Sequence, residues 1–243
     1  QPREGVADRT RVTLDWQRPW FAPLRETVAA LPPDRAVVDA LNALGAGTPR
    51  FVEAAALPDG EAYEAFIARS GTVPTRDNLH DLLNGLMWLH RPALKHRLNR
   101  LQAAQIAVYG VGPTRGALRD ALTLFDEHGA LWPDPPPALA QALAVRDWPA
   151  LFVNHRALWR NTRLEVFGHA LLEQLATAPR KALTAFVALG DPLAWSAEQW
   201  AAKPFLPLPV LGIPGWWPAN EDPAFYADSK VFRTPRLKAA SSP

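Results

Sequence analysis

Apolar residues three and four apart recur through most of this chain, and the spacing predicts a mainly helical fold. Val37, Val38 and Leu41 share one side of a helix over roughly 34 to 44, stopped by Gly45 and Gly47. Tyr63, Phe66 and Ile67 repeat the pattern over roughly 59 to 69, where Ser70-Gly71 ends the run. Thr75 can cap the next helix, with Asp77 in its first turn, where the helix dipole favours an acid. Its leucines at 79, 82, 83, 86 and 89 fall on one face, and His80, Asn84 and Met87 on a neighbouring one. Pro92 disfavours helical geometry at Arg91, so a break is expected there before a second helix to about Val108. Leu94, Leu98, Leu101 and Gln105 line one stripe of that helix, flanked by Arg91, Lys95, Asn99 and Gln102.

Further along, the run 121 to 125, the turn-like Asp126-Glu127-His128-Gly129 and the return Ala130-Leu131-Trp132 read as a β-hairpin, with a helix as the alternative. Asp147 can cap a helix through about Arg160, and another is expected over roughly 164 to 176. In the latter Glu165, His169 and Glu173 would lie four apart, opposite Leu164, Phe167, Leu171 and Leu175. Residues 183 to 189 suit a strand. The prolines at 204, 207, 209, 214, 218 and 223 suit neither a helix nor a central strand and predict an extended belt over the body. The expected fold class is therefore α+β and predominantly α-helical. It would be a single domain over 12–233, with a β-hairpin or small sheet, a Pro-rich C-terminal belt, and loose tails at 1–11 and 234–243.

Composition narrows the function classes. The 243 residues include no Cys, which removes disulfides, zinc ribbons and thiol nucleophiles and favours a cytoplasmic protein. No run approaches the ~20 apolar residues of a membrane span, and the first residues lack a signal-peptide hydrophobic region, so no membrane partner is expected. The chain begins at Gln1, which leaves a preceding segment an open alternative. Net charge is only +2, but from Leu82 to Arg119 there is no acid, while Arg91, Lys95, Arg97, Arg100, Arg115 and Arg119 are all present. Such a zone could focus an anionic small molecule or nucleic acid, or be a solvated helix surface.

Candidate chemistry gathers around His80. With Asn84 on the same face and Asp81 beside it, an imidazole could move a proton or bind a metal, or be a satisfied histidine beside a leucine core. Asp126 and Glu127 at the hairpin tip could bring carboxylates to it, although Asp-x-x-Gly is also ordinary turn chemistry. The row Glu165, His169, Glu173 could hold a divalent cation, or form an ion-pair ladder worth roughly a few tenths of a kcal/mol per pair. No phosphate-binding Gly-rich loop, HExxH, nucleophile elbow or dinucleotide fingerprint is present.

Arg76, His80, Asp81 and Asn84, then Trp88, Pro92, Lys95 and Asn99, then Arg119-Asp120, Thr123 and Asp126-Glu127, and finally Gly168-His169 and Glu173 form a pattern. With the ending from Gly212 to Asp228, it resembles a bacterial family catalogued as a domain of unknown function, DUF3025, from about residue 18 to 236. Leu79 and Arg91 depart from the pattern, which has aromatics there. The resemblance implies that these polar residues belong to one site or one framework, and supplies no activity.

The resulting expectation is a hydrolase or lyase for an anionic substrate, phosphate-bearing ones included. His80 would be general base or ligand, oriented by Asn84, with Asp126 and Glu127 as carboxylates. Arg76, Lys95, Asn99 and Arg119 would bind the anion. A divalent metal would be held by His80, Asp126 and Glu127, or by His169 and Glu173. The alternatives are a non-catalytic binder of nucleic acid or an acidic partner along 91–119, and a purely structural hydrogen-bonding framework.

Overall fold

The computed structural model describes residues 14–45, 47, 49–112 and 116–233. The tails expected at 1–11 and 234–243, and Arg115 of the basic zone, lie outside the described residues. After a short 3-10 segment Pro19–Leu24, the helices are α1 (Arg25–Ala29), α2 (Val37–Leu44), α3 (Tyr63–Ser70), α4 (Leu79–His90), α5 (Pro92–Tyr109), α6 (Ala117–His128), α7 (Pro137–Val145), α8 (His169–Thr177) and α9 (Ala197–Ala201). The strands are β1 (Arg50–Glu53), β2 (Thr72–Thr75), β3 (Gly129–Trp132), β4 (Glu165–Val166), β5 (Thr184–Leu189) and β6 (Leu206–Pro209). The fold is α+β and predominantly helical. No helix among the described residues is long and apolar enough to cross a membrane.

β1 and β2 pair in parallel, Arg50 opposite Thr72. The larger sheet has the order β4-β3-β5-β6, with β3 parallel to β5 and antiparallel to β4. Its Pro-rich member β6 lies at an edge, where a strand can spare backbone donors. Thus the Pro-rich belt begins as an edge strand and continues as short 3-10 turns. One contiguous apolar core takes in the helices and both sheets, with Trp88, Trp132 and Trp200 among its most enclosed side chains.

The break between α4 and α5 falls at Arg91, with Pro92 at the first helical position, as the proline demands. The α4 cap is Asn78, not Thr75, which ends β2: Asn78 Oδ1 accepts from the Asp81 N–H at 2.8 Å. Asp77 instead accepts from the Val37 N–H at 3.0 Å and so caps α2 from a distance.

Three expected elements differ. Residues 121–128 are not a hairpin arm and turn but the body of α6, whose Leu118, Ala121, Leu122 and Phe125 form a buried stripe at helical spacing. Four apolar residues with a trailing Asp-x-x-Gly fit both readings, and packing of that stripe decides for the helix. β3 then pairs with the distant strands β4 and β5. The expected helix over 164–176 begins only at His169, because Glu165–Val166 is β4. Likewise the segment after Asp147 is a π turn (Ala150–Asn154) followed by a 3-10 turn (Arg156–Asn161), set by Trp148, Phe152 and Trp159 stacking in the core.

The junction between β4 and α8 positions the site. The Phe167 and Gly168 N–H groups both donate to the Gly129 carbonyl at 2.9 Å, drawing the start of α8 against the end of α6. A Cβ on Gly168 would lie 2.4 Å from the Glu127 carbonyl oxygen and 2.5 Å from His128 Cα, both backbone, so no flexible side chain can yield. Gly168→Ala is therefore expected to destabilise the fold by about 1–3 kcal/mol. Calorimetry should record a fall of roughly 2–10 °C in Tm.

Candidate functional site

α3, α4, α5, α6 and α8 converge on a cleft of about 410 Å³, bordered by Tyr63, Glu64, Arg76, His80, Asn84, Gln102, Arg119, Thr123, Asp126, Glu127 and His169. Helical spacing explains the gathering. His80 and Asn84 are four apart on α4, and Arg119, Thr123, Asp126 and Glu127 recur along one side of α6. Lys95, Asn99 and Gln102 do the same on α5.

Beneath the cleft lies a buried cation. Lys95, 4% exposed, donates from Nζ to Asp126 Oδ1 at 2.6 Å and to Asn84 Oδ1 at 2.8 Å. Its ammonium also lies 5.4 Å from the Trp88 ring and 5.9 Å from the Phe167 ring, within cation–π range. Burial works to raise the Asp126 carboxyl, but the Lys95 ammonium, by its charge and its hydrogen bond, outweighs it and holds Asp126 below the usual range. Asn84 does not orient His80. It accepts from Lys95 and donates from Nδ2 to Tyr63 Oη at 3.2 Å.

Two histidines face each other above this pair. His80 Nδ1 lies 2.7 Å from Glu173 Oε2, and His169 Nδ1 lies 2.9 Å from the Asp126 carbonyl oxygen. Both partners are acceptors, so each ring carries its hydrogen on Nδ1. The two Nε2 atoms then point at each other, 3.1 Å apart. Burial pushes His169 down to about 3, so its ring is neutral near pH 7 and its Nε2 presents a bare lone pair. Such a lone pair facing a second imidazole nitrogen calls for a positive centre between or beside them: a proton on His80, or a metal ion.

Glu127 completes a set. Its Oε2 is 3.6 Å from His169 Nε2, and one ligand atom from each of His80, Glu127 and His169 lies within 4.8 Å of the others. Metal–nitrogen bonds of about 2.0–2.1 Å place neighbouring ligand atoms roughly 3 Å apart, which the two imidazoles already match. Burial and the adjacent Asp126 charge raise the Glu127 carboxyl. A divalent cation would relieve that repulsion. Both rings also have the outer partners that metal-bound histidines use: a carboxylate on one, a carbonyl on the other.

The expected residues thus divide. His80, Glu127 and His169 meet; Asp126 is turned to Lys95, and Glu173 stands behind His80 against its Nδ1. Glu165 leaves the row foreseen with His169: it lies on β4, and although burial works to raise its carboxyl, the bonds from Arg91, with His90 Nε2 3.2 Å away, hold it down at about 2. Arg76 forms a fork with Asp81 at the cleft edge. Asn99 donates to the Glu64 carboxylate at 2.6 Å and to its carbonyl at 2.9 Å, tying a wall of the cleft. Glu64 was invisible to sequence reasoning, because an acid in a first helical turn is what the dipole favours anyway. The basic zone does not act as one stripe: Arg91 is paired with Glu165, Lys95 is buried, Arg97 donates to the Trp195 carbonyl and Arg119 borders the cleft.

Lys95→Met should cost about 3–5 kcal/mol by stranding a buried carboxylate, with part recovered in the double variant Lys95→Met/Asp126→Asn, as measured by urea unfolding. His169 adds a pH signature. Its folded value of about 3 lies below the ordinary 6.5 of the unfolded chain, so the unfolded state takes up the proton first as pH falls. The His169 contribution to stability is complete above about pH 6.5 and declines toward about pH 3. In metal-free protein the urea midpoint should fall between pH 7.5 and 5, and less so in His169→Gln.

No curated protein and no solved structure matches the chain. The sequence profile of a family described as a protein of unknown function (DUF3025) matches residues 49–199 and 187–236, a span that holds every residue of the cleft. This chain belongs to the DUF3025 family.

Proposed function

We propose that this protein is a divalent-metal-dependent hydrolase for an anionic substrate, with His80, Glu127 and His169 as the metal ligands. The observation that carries the reading is the opposed pair of Nε2 atoms, 3.1 Å apart, with both Nδ1 atoms already committed to acceptors. A proton between the rings would satisfy the pair alone, but would leave the adjoining Glu127 carboxyl without a role.

Two neutral imidazoles and one carboxylate suit a first-row divalent ion, and three protein ligands leave positions for water and substrate. When bound, the ion would polarise a carbonyl or phosphoryl oxygen and supply an activated water. The chain's own residues do the rest. Glu173 and the Asp126 carbonyl fix the rings, and Lys95 holds Asp126 in place from below. Arg119 on the cleft border favours a negatively charged substrate, whereas the Arg76 charge is matched by Asp81. The absence of Cys supports a cytoplasmic setting for this activity.

A second reading, a non-catalytic binder of nucleic acid, has one observation in its favour: His96, Arg97 and Arg100 border a shallow hollow of about 590 Å³ on the outer side of α5. It requires affinity that falls steeply with salt and depends on Arg97 and Arg100.

Calorimetric titration of chelator-stripped protein with Mn²⁺ and Zn²⁺ tests the first reading. One ion per chain is expected, with affinity reduced more than about 100-fold in His80→Ala, His169→Ala and Glu127→Gln, and about 10–100-fold in Glu173→Gln. Hydrolysis across a panel of phosphate esters, carboxylic esters and amides should vanish with chelator and return with metal. Binding of neither ion to the folded wild-type protein would overturn the proposal.

A further inference from the structure

The cleft has a second pole. Arg119 stands near the start of α6 and Glu127 near its end, eight residues along the same helix, which separates their Cα atoms by about 12 Å. Thr123 lies midway on the same side, and both Arg119 and Thr123 border the cleft.

The Arg119 guanidinium is only partly engaged. Its Nη1 donates to the Gly110 carbonyl at a long 3.4 Å, while its buried Nε has no hydrogen-bond partner among the described residues. The residue as a whole is half-buried at the cleft border, where the unspent donors of its guanidinium can meet a ligand oxygen. Arg76 differs, since the Nε–Nη2 edge of its guanidinium is spent on Asp81.

The neighbouring wall suits an anion. Glu64 borders the cleft as well, its carboxyl raised by burial first and by the Asp126 charge second, and its Oε2 is already occupied as acceptor from Asn99 Nδ2 at 2.6 Å. Thr123 Oγ1 donates to Gln102 Oε1 over a long 3.4 Å. A guanidinium and a hydroxyl therefore stand one helical turn apart along one side of the cleft, a combination that binds carboxylate or phosphate oxygens.

We propose that Arg119, with Thr123, forms an oxyanion-binding pole, and that the substrate is an elongated molecule whose terminal carboxylate or phosphate sits there, roughly 10 Å from the bond cleaved at the His80–Glu127–His169 centre. What is cleaved rests on the hydrolase reading; what is bound at Arg119 does not. The pole selects substrates by their charged end and sets which bond reaches the ligand cluster. Arg119 is a recognition residue and takes no part in the proton movements.

The test uses metal-free full-length protein, so that no ion can itself attract the probe. Inorganic phosphate and glutarate are titrated by calorimetry into wild type, Arg119→Gln and Thr123→Val, with circular dichroism and Tm as controls for folding. Wild type is expected to bind at least one probe saturably, with affinity reduced at least about tenfold in Arg119→Gln and several-fold in Thr123→Val. Tighter phosphate binding assigns a phosphorylated substrate end, and tighter glutarate binding a carboxylate. Mn²⁺ affinity should be unchanged in both variants. Equal anion affinity in Arg119→Gln and wild type, or no saturable binding of either probe, overturns the proposal; if Arg119→Gln does not fold, unchanged affinity in Thr123→Val does so. Failure of wild type to bind Mn²⁺ would remove the hydrolase reading and leave the anion result standing.

Discussion

The ion pair between Lys95 and Asp126 is the interaction on which the site is built. Neither partner can leave without stranding the other's charge away from water, so α5 and α6 are locked in one relative position. The Asp126 backbone carbonyl then fixes His169, and its neighbour Glu127 is carried to the mouth of the cleft. Asn84 and Tyr63 extend the same network to α4 and α3. Burying a charge pair is a poor way to gain stability, and a good way to make one arrangement of helices much better than its neighbours. Trp88 and Phe167 reinforce that choice by presenting ring faces to the ammonium.

Much of the architecture is legible in residue spacing. The leucine stripe of α4, the interruption at Arg91-Pro92, the strand near 184–189 and the peripheral course of the Pro-rich segment each follow from local rules that tertiary structure leaves intact. The failures share a cause. Residues 121–128 and 164–168 carry short apolar runs that suit a helix or a strand, and only partners far along the chain decide between them. His80, Asp126, Glu127, His169 and Glu173 could be picked out as chemistry-bearing residues, yet which of them face one another could not, because helix crossing angles are not written in any single segment. Glu64 left no trace at all.

Charge offers the same lesson. A stretch without acids between Leu82 and Arg119 suggests a positive surface, but Asp126 and Glu165 arrive from other elements and neutralise two of its members. What survives is a division of labour: Lys95 inside as a structural cation, Arg119 at the cleft, and Arg97 and Arg100 on the outer face of α5. Linear charge density is a guide to composition, whereas the field at a site depends on who is folded against it.

The bonds from Phe167 and Gly168 to the Gly129 carbonyl make the sheet a ruler for the chemistry. Gly129 stands opposite Phe186 in the parallel ladder, so the register of two inner strands sets where α8 starts and hence which imidazole meets His80. A slip of one residue would exchange the two faces of β3 and shift that carbonyl by about 3.3 Å, more than the clearance at the β4–α8 junction permits. Strands with no side chain in the cleft therefore govern its alignment, and substitutions in the sheet should be felt as misregistered ligands before they are felt as lost secondary structure.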